Sequence, residues 1–97
     1  MSLCYLFSKS ASYPYMKELL EGFENSLSLD IDTLNDIEDC DIYVIDLDNA
    51  TNEISKKLVN IFKNKENPLT YFIVPKKYTL ILFQLMFSLN TKDIITH

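Results

Sequence analysis

Two nearby carboxylates are the first feature of this chain that could carry chemistry. The segment Asp46-Leu47-Asp48-Asn49 has the acidic spacing with which calcium-binding loops begin. The remaining positions do not continue such a loop, because Thr51 stands where a glycine is needed and Lys57 stands where a bidentate glutamate is needed. We therefore expect no calcium site and no other metal site.

Nucleophilic catalysis lacks its usual partners in this sequence. His97 is the only histidine and the last residue, so serine and cysteine side chains have no evident base. Cys4 and Cys40 show no C-x-x-C spacing, which favours buried thiols of a reducing cytoplasm over a zinc or redox site. With one glycine in the chain, no glycine-rich loop can cradle a nucleotide. We expect neither an enzyme nor a cofactor.

The charge distribution points to proteins as partners. All nine basic residues are lysines, against fourteen acidic residues, and the net charge is −5. Lysine lacks the guanidinium fork that grips phosphates and guanine edges, so we expect no nucleic-acid partner. Twelve carboxylates and no base lie between Lys17 and Lys56, whereas seven lysines follow from Lys56 onward. This uneven distribution of charge is typical of a solvated acidic face, and it can also orient an encounter with another protein.

Length and hydropathy indicate one domain without a membrane span. A chain of 97 residues, 47% of them hydrophobic, has room for a single core, so residues 1–97 are taken as one domain. The longest apolar segment, residues 78–89, is too short to cross a bilayer. A cytoplasmic protein with no membrane partner is the resulting expectation.

Hydrophobic periodicity predicts alternating strands and helices. Residues 42–45 are four consecutive apolar residues between two aspartates, which is typical of a central strand buried on both faces. The predicted strands are residues 3–7, 27–34, 41–46, 69–74 and 93–96, and the predicted helices are residues 14–24, 35–40, 52–63 and 76–89. Asn90 is expected to close the last helix as a left-handed C-cap. This alternation favours an α/β fold in three layers, a doubly wound parallel sheet with helices on both faces.

Two motifs resemble the receiver domain of two-component response regulators, which has a flavodoxin-like fold. The pattern Asp41-x-x-x-x-Asp46 is similar to that family's third strand, and Lys92-Asp93-Ile94-Ile95-Thr96 is similar to its fifth-strand segment. The resemblance spans the chain and implies the strand order 2-1-3-4-5. It also implies that Asp46, at the carboxyl end of the third strand, is the candidate phosphoacceptor.

The chain differs from receivers at most of the positions that carry out the family's phosphoryl chemistry. Receivers hold Mg²⁺ with two acidic residues at the end of the first strand, where this chain has Phe7, Ser8 and Lys9. The family's hydroxyl residue after the fourth strand falls on residues 73–75, which carry none, and its fifth-strand lysine falls on His97. The resemblance therefore implies a degenerate receiver without Mg²⁺.

The neighbouring pocket is expected to contain Ser8, Lys9 and Asp48. The strand order would bring Ser8 or Lys9 beside Asp46, where the Lys9 ammonium could replace the lost metal charge or simply point to solvent. The alternative is a working phosphoacceptor that uses Asp46 and Asp48 with a rearranged Mg²⁺ site.

The helix predicted at 76–89 is apolar in nearly every direction. A helix on the outside of a three-layer domain needs only one apolar stripe, so we expect its outer face to be an interface, although deeper burial would also explain it. The residues chosen for this interface are Tyr78, Ile81, Leu82, Leu85, Met86 and Leu89. In receivers the same helix and the fifth strand form the usual dimerisation surface.

The element order ends one helix short of a receiver. The family's fifth helix would follow the fifth strand, so the sequence predicts a domain truncated there, with a sheet face left for a partner. The expected function is a non-enzymatic regulatory module of bacterial signal transduction, which binds a partner protein or a second copy through the fourth helix and the fifth strand.

Overall fold

The computed structural model describes residues 1–8 and 16–96, apart from the side chain of Lys17. Its elements in chain order are β1 (Ser2–Phe7), α1 (Met16–Glu21), β2 (Asn25–Asp30), β3 (Ile42–Asp46), α2 (Asn52–Phe62), β4 (Thr70–Val74), α3 (Leu80–Ser88) and β5 (Asp93–Thr96). The predicted helix at 76–89 corresponds to α3. Of the described helices, none has the length and apolar character that a membrane span requires.

The five strands form one parallel sheet in the order β2-β1-β3-β4-β5. This confirms the predicted α/β class and the predicted strand order. In the register of the three central strands, Asp46 pairs with Phe7 on one side and with Ile73 on the other. The carboxyl ends of β1, β3 and β4 therefore meet at one edge of the sheet, where parallel α/β domains usually place their sites.

Helices cover both faces of the sheet. One face carries the larger core, in which Leu6, Ile45 and Phe72 pack with buried side chains of α2 and α3. The other face carries a smaller cluster, in which Val44 packs with Met16 from α1 and with its strand neighbours. The three-layer architecture is thus confirmed, and its two apolar layers are unequal in size.

Threonine side chains begin the two longer helices. The Thr51 hydroxyl accepts a hydrogen bond from the Ile54 N–H at 3.1 Å, and the Thr79 hydroxyl accepts one from the Leu82 N–H at 3.3 Å. Each therefore satisfies a backbone donor that the first helical turn leaves open. After α3, Asn90 has a φ of 50°, the left-handed conformation predicted for a residue that closes a helix.

The prediction of a helix at 35–40 is wrong, because this described segment is a bend at Asn35 followed by irregular backbone. Several of its backbone groups bond to side chains, of which Asp36 and Tyr43 are near in sequence and Lys65 is distant. The Tyr43 hydroxyl accepts from the Cys40 N–H at 2.7 Å, and the Lys65 ammonium donates to the Ile37 carbonyl at 2.9 Å. Leu34 and Ile37 are buried in the larger core and fix the segment to it.

The bounds of other elements also differ from the predicted ones. α3 begins at Leu80 and not at residue 76, because Thr79 is its N-cap. β2 covers Asn25–Asp30, so Ile31 and Leu34 lie beyond the strand and fill the core from a turn. The predicted start of the first helix, residues 14 and 15, lies outside the described residues.

Candidate functional site

Asp46 occupies the centre of the predicted site. It is the last residue of β3, and strand alternation puts its side chain on the α1 side of the sheet, together with that of Val44. Its exposed fraction is 0%. A carboxylate that accepts a phosphoryl group must be reached by the donor, so complete burial of this side chain opposes phosphoryl transfer.

Tyr5 holds the Asp46 carboxylate. Tyr5 lies on β1, opposite Val44, and its hydroxyl donates a hydrogen bond to Asp46 Oδ2. The Tyr5 ring is buried and stacks on that of Phe7, with 5.5 Å between the ring centroids. Because a buried carboxylate is costly unless it is hydrogen-bonded, this contact gives Asp46 a structural role between the two central strands.

Of the other residues predicted for the pocket, the structure describes Ser8 and Asp48. Ser8 is buried and directly follows Phe7, the strand partner of Asp46. Asp48 is half-buried, two residues beyond Asp46 on the same connection. Ser8, Asp46 and Asp48 therefore share one edge of the sheet, whereas Lys9 lies outside the described residues.

The donor set does not fit Mg²⁺. This ion requires an octahedron of oxygen ligands and retains several waters, so its ligands must face an open space. Asp46 is buried against Tyr5, and the end of β1 offers Phe7 and Ser8 in place of carboxylates. Within residues 1–8 and 16–96, no three histidine, cysteine or acidic side chains are grouped as metal ligands would be. No phosphoryl step through Mg²⁺ follows from this arrangement.

Asp41, the other aspartate of the motif, binds the beginning of β1. Asp41 Oδ2 accepts hydrogen bonds from the Ser2 N–H at 2.8 Å and from the Ser2 hydroxyl at 3.2 Å. These bonds lower the pKa of Asp41, since they favour its charged form. Each aspartate of the receiver-like motif therefore contacts β1, one at each end of β3.

A second candidate site is the outer surface of α3. Leu80, Phe83 and Phe87 are 69%, 52% and 80% exposed. Their spacing of three and four residues places them on one side of the helix, and we call them the α3 stripe. Ile94 of β5 lies next to the stripe, across a cleft of about 300 Å³ that Phe83 and Phe87 also line.

The structure corrects the residues predicted for this interface. Leu82, Leu85, Met86 and Leu89 are buried in the larger core, so they do not reach the outer surface. Tyr78, before the helix, is exposed, and Ile81 is partly buried. Sequence reasoning missed the α3 stripe because α3 has only Gln84 and Ser88 as polar residues, too few to indicate which side faces water.

The strand order and the parallel direction of the strands are those of flavodoxin-like domains. Comparisons with protein-family models, with curated proteins and with solved structures found no match. Function is therefore inferred from the residues that this fold brings together.

Proposed function

We propose that this chain is a non-enzymatic, receiver-like regulatory module of bacterial signal transduction that acts by self-association through α3 and β5. The observation that carries the proposal is the α3 stripe, which leaves two phenylalanine rings and a leucine in water. Large apolar groups grouped on one surface mark association sites. The strand order 2-1-3-4-5 supports the receiver-like part of the proposal, since the resemblance implied the same order.

The size of the stripe suits a small dimer. Together with Ile94, its exposed side chains offer roughly 500 Å² on each copy, within the range of functional patches. Two copies that meet there would bury about 1,000 Å², the area at which specific interfaces begin. The contact would therefore be reversible and dependent on concentration.

The absence of charged residues on α3 makes a second copy a suitable occupant of the α3 stripe. The net charge of −5 makes two copies repel each other over most orientations. α3 carries no charged residue, so two α3 stripes can meet without burying like charges. In an antiparallel, two-fold arrangement, Phe83 and Phe87 of each copy would meet near the axis, and the helix dipoles would oppose.

The surroundings of Asp46 support the non-enzymatic part of the proposal. Its carboxylate is buried and bonded to Tyr5, and the residues at the end of β1 do not suit Mg²⁺. Association through a preformed apolar surface requires neither a phosphoryl group nor a metal ion.

The test replaces the two aromatic residues of the stripe. A Phe83→Gln, Phe87→Gln variant should sediment as a monomer at concentrations where the natural chain sediments as a dimer. Leu27→Gln is the matched control, because Leu27 is an exposed apolar residue on β2, at the opposite end of the strand order. The control should remain dimeric. A natural chain that is monomeric at high micromolar concentration, or a variant that dimerises as well as the control, would contradict the proposal.

A further inference from the structure

A second apolar surface lies on the opposite face of the sheet. Beside α1 a cleft of about 740 Å³ exposes the side chains of the strands, and we call it the α1 groove. Its floor consists of Leu3, Ile42, Val44, Tyr71, Ile73 and Ile95. Leu3, Val44 and Ile73 are buried at its base, whereas Ile42 and Tyr71 are partly exposed and Ile95 is exposed. Parallel sheets are normally covered on both faces, so this partly open apolar face is an unusual surface.

The floor is most open toward β5. Ile95 is 42% exposed there, whereas Ile73 on β4 is buried. Leu19, on the α1 side of the groove, is also exposed. The apolar area that remains available therefore extends from α1 to the outer strand.

The dimensions of the groove suit one short helix. Strands lie about 4.8 Å apart, so the part of the floor on β3, β4 and β5, beyond the buried Leu3 of β1, is about 10 Å wide, which is the diameter of a helix. Each of these strands has four or five residues, or about 15 Å of length, which matches roughly three helical turns. A helix also satisfies its own backbone, whereas an added strand would find only side chains on this floor.

The charged side chains described around the groove are acidic. Glu18 is the only charged residue among the described side chains that line it. Asp93 precedes Ile95 by two residues on β5, so strand alternation directs both to this face. Ile94 alternates to the opposite face. An occupant that carried acidic residues along its flanks would be repelled, and one with basic flanks would be attracted.

We propose that the α1 groove binds an amphipathic helix of a partner protein, with an apolar stripe against the sheet and lysine or arginine along the flanks toward Glu18 and Asp93. The open shape, and the single charge among the described residues that line the groove, do not suit a small molecule, which needs an enclosing cavity with several convergent polar groups. This second interface lies on the other side of the sheet from α3 and is independent of the proposed self-association.

The experiment uses three labelled peptides of fourteen residues as probes. One carries leucines at helical spacing with lysines on the flanks, the second replaces those lysines with glutamates, and the third scrambles the leucines of the lysine peptide. Fluorescence anisotropy with the full chain at low salt should show binding of the lysine peptide. The glutamate peptide should bind at least about tenfold more weakly, because attractive surface pairs become repulsive. The scrambled peptide should not bind.

Two adjacent isoleucines provide matched variants. Ile95→Ser should weaken binding of the lysine peptide, whereas Ile94→Ser, of nearly equal exposure at 39%, lies on the other face and should leave binding unchanged. Conversely, Ile94→Ser should weaken the proposed dimer and Ile95→Ser should not. A Glu18→Lys variant should reduce the preference for the lysine peptide.

Absence of lysine-peptide binding would overturn the proposal, and so would any of three other results. The first is equal binding of the lysine and glutamate peptides, and the second is binding of the scrambled peptide. The third is loss of self-association in Ile95→Ser but not in Ile94→Ser, which would assign the groove to a second copy. Failure of the dimer test with charge-selective peptide binding intact would refute only the proposed function.

Discussion

The hydroxyl group of Tyr5 on β1 donates a hydrogen bond to the carboxylate of Asp46 at the end of β3. At the opposite end of β3, the Ser2 N–H donates to Asp41 at 2.8 Å. The two aspartates of the receiver-like motif thus accept hydrogen bonds from β1, one at each end of β3. These bonds support the register of β1 against β3.

Removal of the Tyr5 hydroxyl tests the structural role of Asp46. Tyr5→Phe leaves the buried carboxylate without this donor, and we expect the free energy of unfolding to fall by about 1–3 kcal/mol. Urea denaturation at pH 7, followed by circular dichroism, measures this change. In an Asp46→Asn background the same substitution should cost less, because a neutral amide is less costly to bury than a carboxylate. Equal costs in the two backgrounds would show that Tyr5 and Asp46 are not coupled.

Lys65 should contribute to stability up to alkaline pH. Its ammonium bonds to Asp39 at 2.8 Å and to the Ile37 carbonyl at 2.9 Å. Burial by itself would lower the pKa of Lys65, but the Asp39 hydrogen bond and the nearby Tyr43 and acidic groups raise it above 10.5. We expect Lys65→Met to reduce the free energy of unfolding by about 1–2 kcal/mol at pH 7, with Asp39 discounted for its exposure.

The difference in free energy of unfolding between the natural chain and Lys65→Met should depend on pH. When the pKa of a lysine is higher in the folded state, its charged form stabilises the fold. This contribution is complete at pH values below the ordinary lysine pKa, and it disappears as the pH rises through the folded-state pKa. The difference between the natural chain and Lys65→Met should therefore shrink above about pH 10.5. Lys63→Met, which changes an exposed lysine, should show little effect at any pH. A Lys65→Met difference that stayed constant to high pH would contradict the assignment.

The two thiols should differ in reactivity. Burial raises the pKa of Cys4 to about 12, with a further contribution from the neighbouring Cys40 thiol, so Cys4 forms almost no thiolate at pH 8. Cys40 is only partly buried. A disulfide reagent such as Ellman's should modify one thiol per native chain rapidly and the second only after unfolding. Cys40→Ser should abolish the rapid phase, and rapid modification of both thiols would contradict the buried position of Cys4.

Much of the fold followed from local patterns in the sequence. The apolar run at 42–45 and the regular alternation of elements were enough to predict the parallel sheet and, with the receiver resemblance, its order. Asn90 was recognised as a left-handed cap because its side chain tolerates a positive φ. The segment 35–40 has room for a helix but does not form one, because the Tyr43 hydroxyl on β3 and the Lys65 ammonium bind its backbone groups.

The functional surfaces were harder to predict, for physical reasons. Nearly uniform apolar character in α3 hid which side is exposed, and only packing against α2 and the sheet decided that Phe87 faces water and Leu85 does not. Tyr5 was missed because it lies inside an apolar run, where a tyrosine resembles a core residue. Its position on the strand beside an aspartate was the available signal, since a buried phenol needs a hydrogen-bond partner.

Native mass spectrometry of the chain, before and after incubation with phosphoramidate and Mg²⁺, tests most directly whether the module acts by association and not by phosphoryl transfer. We expect dimers at the same concentration in both samples, and no added phosphoryl group, because Asp46 is buried against Tyr5 while the α3 stripe is already exposed. A chain that is monomeric before treatment, gains one phosphoryl group at Asp46 and then dimerises would contradict the account.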